Sequence, residues 1–308
     1  MSAHGEPTIV VATDEGLFVG GADEISRVDE LAGREVVALC RSAEARWALV
    51  DGREVWKSDD GRRWAFVAKT PRRRAGCLAF TAAGLLVGTA RAHLLRLDDG
   101  RFVEHSSFDE AEGRDRWYTP WGAPPEVRSI SAAPDGAIYV TVHVGGVLRS
   151  RDGGESWRPT LDIDDDVHQV MAHPAHPGLV LVAAAAGFGV SADGGDTWRW
   201  LNEGLPAHYC RAVAVDGDTV IVSASTGHRG RQSAVYRRRL DHRASFERCQ
   251  VGLPEWFDDN VDTSCLAICG RTAVLGARDG SVFVSRDVGE TWVCLEKDLG
   301  AVRAVTLD

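Results

Sequence analysis

Ser150-Arg151-Asp152-Gly153-Gly154-Glu155-Ser156-Trp157 is the stretch on which the reading of the fold turns, because the chain repeats it. Ser191-Ala192-Asp193-Gly194-Gly195-Asp196-Thr197-Trp198 and Ser285-Arg286-Asp287-Val288-Gly289-Glu290-Thr291-Trp292 keep the same frame without a gap. Lys57-Ser58-Asp59-Asp60-Gly61-Arg62-Arg63-Trp64 reads as a fourth copy that has lost its leading serine, with Asp59 as the box aspartate. Asp98-Asp99-Gly100-Arg101-Phe102 reads as an eroded fifth. Asp59 to Asp152 is 93 residues, Asp152 to Asp193 is 41, Asp193 to Asp287 is 94, and Asp287 through the C-terminus to Asp59 is 80. A unit of about 44 divides these gaps into two, one, two and two, so seven units fill the 308 residues. Repetition at this period marks a radial array, and four short strands with hairpin turns need about that length. The expectation is an all-β, seven-bladed β-propeller with four-stranded antiparallel blades, in one domain over 1–308.

The units can be followed along the chain. Val127-Arg128-Ser129-Ile130, Val167-His168-Gln169-Val170, Cys210-Arg211-Ala212-Val213, Thr263-Ser264-Cys265-Leu266 and Val302-Arg303-Ala304-Val305 share an inner-strand pattern, with weaker members at 36–40 and 76–80. Second strands follow with period-two alternation, as in Ile138-Tyr139-Val140-Thr141-Val142. The first unit opens directly on a second-strand pattern, Thr8 to Ala12, and the chain ends on a spare inner strand. The C-terminal strand is therefore expected to complete the first blade and remove an open sheet edge. Blades are expected at 8–35 plus 301–308, 36–74, 75–115, 127–161, 167–205, 209–251 and 261–300.

The frame Ser-x-Asp-x-Gly-x-Thr-Trp resembles the Asp-box, or bacterial neuraminidase repeat, found in the propellers of sialidases, sortilin-type receptors, some glucan hydrolases and photosystem assembly factors. The chain looks like a single-domain cytosolic propeller of that type. The resemblance implies that the box is structural and lies away from the ligand face, so Asp59, Trp64, Asp152, Trp157, Asp193, Trp198, Asp287 and Trp292 carry no chemistry. The local reason is a hairpin in which Asp and Ser side chains satisfy turn N–H groups and Gly accepts positive φ. A sialidase would need an arginine triad, a Tyr–Glu pair and usually Arg-Ile-Pro. The last is absent, and sialidase activity is not expected.

Composition narrows the partners. A net charge of −10 argues against a protein that coats nucleic acid or an anionic membrane. No apolar run approaches the length of a membrane span, and the first residues lack a basic, then apolar, export pattern. Seven cysteines without a Cys-x-x-Cys pair read as small buried hydrophobes in a reducing, cytoplasmic setting.

Candidate chemistry gathers on the face away from the boxes. Arg128, Arg211 and Arg303 share one register of three inner strands, and His168 occupies it in a fourth. Converging guanidiniums need carboxylates or a bound anion, and Asp14, Asp166 and Asp262 are the carboxylates at hand. His143, His168 and His208 come from neighbouring blades and are candidate ligands for a divalent metal. Trp117, Tyr118, Trp121 and Trp256 lie in proline-rich loops suited to wall a pocket. His168, His143 and Asp166 are the candidate catalytic residues, and Asp166 with Asp262 a candidate carboxylate pair for glycoside hydrolysis. The leading expectation is a pocket for a small anionic molecule or carbohydrate over the central channel, as a binding protein or as a hydrolase or lyase. The alternative is a non-catalytic scaffold for a protein or peptide partner, of the assembly-factor type.

Overall fold

The computed structural model describes residues 6–71, 73–241 and 243–308. Seven four-stranded antiparallel sheets stand in a ring, and helix is confined to a few single turns such as Ser106–Asp109. The first blade pairs Ile9–Thr13 with Gly16–Gly20 and with the last strand, Val302–Leu307. Ile9 faces Leu307 and Ala12 faces Ala304, so the chain's two ends close one sheet. The other inner strands are Val36–Arg41, Ala75–Thr81, Val127–Ala132, Val167–Ala172, Tyr209–Asp216 and Leu266–Cys269. Their neighbours are near-continuous apolar runs, such as Val180–Ala184 and Thr272–Gly276, buried along their whole length between blades. The core is consequently a set of inter-blade layers around an open axis.

The repeated turn has the geometry its composition requires. Ser150 Oγ accepts the Gly154 N–H at 2.8 Å and donates to Asp152 Oδ1 at 2.7 Å, while Asp152 accepts the Ser156 N–H at 3.0 Å. Ser191–Asp193 and Ser285–Asp287 repeat these bonds. In blade 2 the expected frame is shifted. Ser58 is the box serine and Asp60, not Asp59, is the box aspartate, accepting from Arg62 and Arg63 N–H, while Asp59 pairs with Lys57. The copy has lost a residue after the aspartate rather than the serine before it. Asp99 and Gly100, both at positive φ, make a two-residue hairpin at the same place in blade 3.

Four cysteines are buried as expected, but Cys40 and Cys294 are half-buried and Cys269 is exposed; all seven are free thiols. His173, fully buried, accepts the N–H groups of Ala175 and His176 at Nδ1, as a turn residue should.

Candidate functional site

Strand register separates the two faces. Val127 pairs with Val142, so the start of an inner strand lies beside the end of the second strand. Ile138 pairs with Ser150, so the box turn lies at the other end. The inner strands enclose a channel cavity of about 590 Å³ that all seven line.

A β-bulge opens six inner strands at the same place. Register skips one residue between 36 and 38, 75 and 77, 127 and 129, 167 and 169, and 302 and 304, and two between 210 and 213. The displaced residues are Val37, Gly76, Arg128, His168, Arg303 and, in blade 6, Arg211 with Ala212. In blade 7 the counterpart Ser264 precedes its strand at φ 64°. A bulge turns one side chain out of the alternation and is a common device beside binding sites. Here it lies at the channel end opposite the box turns, where Val37, Gly76, Arg128 and Arg303 line the cavity. The displaced residues of blades 2 and 3 are the uncharged Val37 and Gly76, while those of blades 4 to 6 include Arg128, His168 and Arg211.

Those three residues form one electrostatic cluster. Arg128 Nη1 donates to His143 Nε2 at 3.0 Å. No carboxylate forms an ion pair with Arg128 among the described residues; burial and the like charge of Arg211 both weaken its hold on its proton, with Asp262 and Asp166 opposing from further away. A guanidinium has no lone pair, so His143 Nε2 must be the acceptor. Burial, and then the Arg128 charge, push the His143 pKa down to about 3. His143 is therefore neutral and carries its proton on Nδ1, an atom that is buried without a partner. His143 is 7% exposed, and the edge of Trp121 covers it at a ring separation of 4.7 Å.

His168 is fully buried. Its Nδ1–H donates to the Cys210 carbonyl at 2.6 Å, and its Nε2 faces Asp166 Oδ2 at 3.4 Å. Burial lowers the His168 pKa; burial would raise that of Asp166, but His168 and then Arg128 bring it below the usual range. With Nδ1–H committed to the Cys210 carbonyl and both groups lowered, the His168 imidazole is neutral and its Nε2 lies unprotonated beside an ionised Asp166. The Tyr209 ring packs on His168 at 4.7 Å. Arg211 donates to Asp262 at 2.8 Å; burial opposes its charge, but Asp262 more than offsets this and raises its pKa.

Of the expected residues, Arg128, His143, Asp262 and Arg303 line the cavity. His168, Asp166 and Arg211 belong to the same cluster but are not among its lining residues. Arg303 stands apart from the other two arginines, 3.7 Å from Asp14 and 3.9 Å from Glu35. His208 is exposed, and no group of three or more His, Cys, Asp or Glu among the described residues is placed to hold a metal ion. His143 Nε2 accepts from Arg128 and His168 Nδ1 donates to the Cys210 carbonyl, so these two rings each keep one nitrogen without a protein partner, and His208 stands away from them at the surface.

The aromatic walls divide. Trp121 is 65% exposed and Tyr118 49% exposed, and Tyr118 pairs through its backbone with Val144, beside His143. Trp117, expected as a wall, is buried against Phe108 at 5.4 Å under the Arg114 guanidinium, and packs the ring instead. Trp256 is likewise structural, half-buried against the blade 5–6 core with Arg248 3.9 Å over its ring. Tyr209, one of the two tyrosines expected to reach the site face, stands at the cluster, whereas sequence reasoning gave Gln169 no part in it. Gln169 accepts the N–H groups of Val213 and Ser264, holding three inner strands in register below the mouth. The signal for Gln169 was present: it adjoins the displaced His168 in the shared inner-strand pattern.

The fold defines a seven-bladed β-propeller. No protein-family profile matches the chain, and no curated protein does. Among solved structures it is similar to "YCF48 bound to D1 peptide", with a TM-score of 0.59 and 12% identity over 96% of this chain and 90% of that one. It is also similar to an ancestral GH74 enzyme, with a TM-score of 0.61 and 15% identity over 97% of this chain and 40% of that one. At these identities the likeness is one of fold.

Proposed function

We propose that this protein, an Asp-box-type propeller, binds a small anion, a carboxylate or phosphate, at the channel mouth through Arg128. The observation that carries the reading is a guanidinium inside the mouth whose hydrogen-bond partner is a neutral imidazole. Arg211 is neutralised by Asp262 and Arg303 lies near Asp14 and Glu35, whereas Arg128 keeps its charge without an ion pair. A buried charge without a counter-charge is costly, and a charge-assisted bond to an anion relieves it.

A second reading rests on the exposed Tyr118 and Trp121 beside the same mouth, aromatic side chains suited to a peptide or protein partner.

Thermal unfolding with phosphate, acetate and sulfate tests the first reading. A ligand at a hundred times its Kd stabilises by about 2.7 kcal/mol, a clear rise in Tm. Arg128→Gln should abolish that rise while the protein still folds. Equal stabilisation of the wild type and Arg128→Gln would refute Arg128 as the anion's seat.

A further inference from the structure

We propose that the anion taken at Arg128 is the carboxylate of a small zwitterion, an amino acid in the broad sense, and that Asp166 holds the ammonium group of the same molecule. The inference rests on the anion site above and adds a second, opposite charge to it. Two imidazoles carry the argument. His143 Nε2 accepts from Arg128 at 3.0 Å, and His168 Nε2 faces Asp166 Oδ2 at 3.4 Å. Both rings are neutral, so neither gives its ionised neighbour a counter-charge.

Among the described residues, no carboxylate forms an ion pair with Arg128, and no arginine or lysine forms one with Asp166, whose charged-group contact is His168 alone. The remaining pair, Arg211 and Asp262, neutralise each other at 2.8 Å. Arg128 and Asp166 are close enough to act on one another's charge, yet they do not meet. Both flank His143: Arg128 through its hydrogen bond, Asp166 through backbone pairing with the adjacent Val144. Arg128 lines the cavity and the Asp166 side chain is 21% exposed, so a ligand entering the mouth has access to both. A lone anion on Arg128 would set a second negative charge near Asp166. A zwitterion answers the free cation and the free anion together and leaves the cluster neutral. Below the mouth, the inner strands are the edge strands of their sheets and turn backbone N–H and C=O groups toward the channel. That wall is hospitable to a polar molecule, and recognition rests on the charged groups above it.

Isothermal titration of the full chain with glycine, β-alanine and γ-aminobutyrate, against acetate, N-acetylglycine and glycinamide, tests this. The amino acid whose length matches the gap should bind about tenfold to a hundredfold tighter than acetate, the worth of one charge-assisted hydrogen bond. N-acetylglycine, whose nitrogen is uncharged, should fall back to the affinity of acetate. Arg128→Gln should weaken every carboxylate. Asp166→Asn should weaken the amino acid and tighten acetate, because a repelling charge has gone; an unchanged ratio of the two affinities would refute Asp166 as the seat of the ammonium. Equal affinity for acetate and all three amino acids would overturn the zwitterion and leave the anion site standing. Binding of none of them would overturn both. Glycinamide binding as tightly as the best amino acid would remove the carboxylate from the recognition and refute the pairing of charges.

Discussion

Substituting His143 with Asn separates the electrostatics of the mouth from the rest of the molecule. His143 is 7% exposed and its pKa is pushed from 6.5 to about 3, by burial first and the Arg128 guanidinium second. A histidine whose pKa is lower folded than unfolded stays neutral in the native state while the unfolded chain takes up a proton. Its contribution to stability is whole above pH 6.5 and is lost as pH falls toward 3. The slope is about 1.4 kcal/mol per pH unit per proton, so between pH 7.5 and 5.0 the wild type should lose roughly 2 kcal/mol through this residue. That is a sizeable part of a stability of about 5–15 kcal/mol. His143→Asn keeps an acceptor for Arg128 and removes the titration. Urea unfolding at the two pH values, in both proteins, reads the difference; all other titrating groups are common and subtract. The variant should lose about 2 kcal/mol less than the wild type. Equal losses would refute the neutral, Arg128-bound imidazole. A saturating anion at Arg128 should also shrink the wild-type loss, because it offsets the charge that disfavours protonation.

Val288 sits at φ 67° where the other full boxes carry Gly153 and Gly194, and a β-branched side chain there costs about 1–2 kcal/mol. Val288→Gly, net of glycine's entropy, should raise stability by about 1 kcal/mol, read as a higher urea midpoint. Deleting 302–308 exposes the partner edge of Ile9–Thr13 and removes the buried Val302, Val305 and Leu307, worth about 1.5–3 kcal/mol each. The shortened chain should lose its cooperative thermal transition; an unchanged Tm would refute closure of the ring by that strand.

The ring was legible because its cause is local and repeated. Ser150, Asp152 and Gly154 satisfy one another within five residues, so the turn survives wherever the frame does, and counting frames counts blades. Val302–Leu307 was legible for a different reason: an inner-strand pattern without a blade has to find one, and the first blade lacked it. The failures came where long-range packing decides. Nothing near Trp117 in sequence says that Phe108 and Arg114 will bury it, and nothing near Trp256 announces Arg248 over its ring. The frame at Asp59 misled because two aspartates stand together, and only the hydrogen bonds of Arg62 and Arg63 choose Asp60.

The site shows the limit most plainly. The shared register placed Arg128, His168 and Arg211 correctly in three consecutive blades, yet alternation alone predicts equivalent directions for them. Their partners make them inequivalent in effect. Arg128 reaches the channel and meets only a neutral histidine, Arg211 meets Asp262, and His168 is drawn under Tyr209 to the Cys210 carbonyl. A sequence shows that three basic residues share a register. Which of them lacks a counter-charge depends on partners 15 to 51 residues away, and that difference is what makes Arg128, rather than the whole arginine set, the place to look for a ligand.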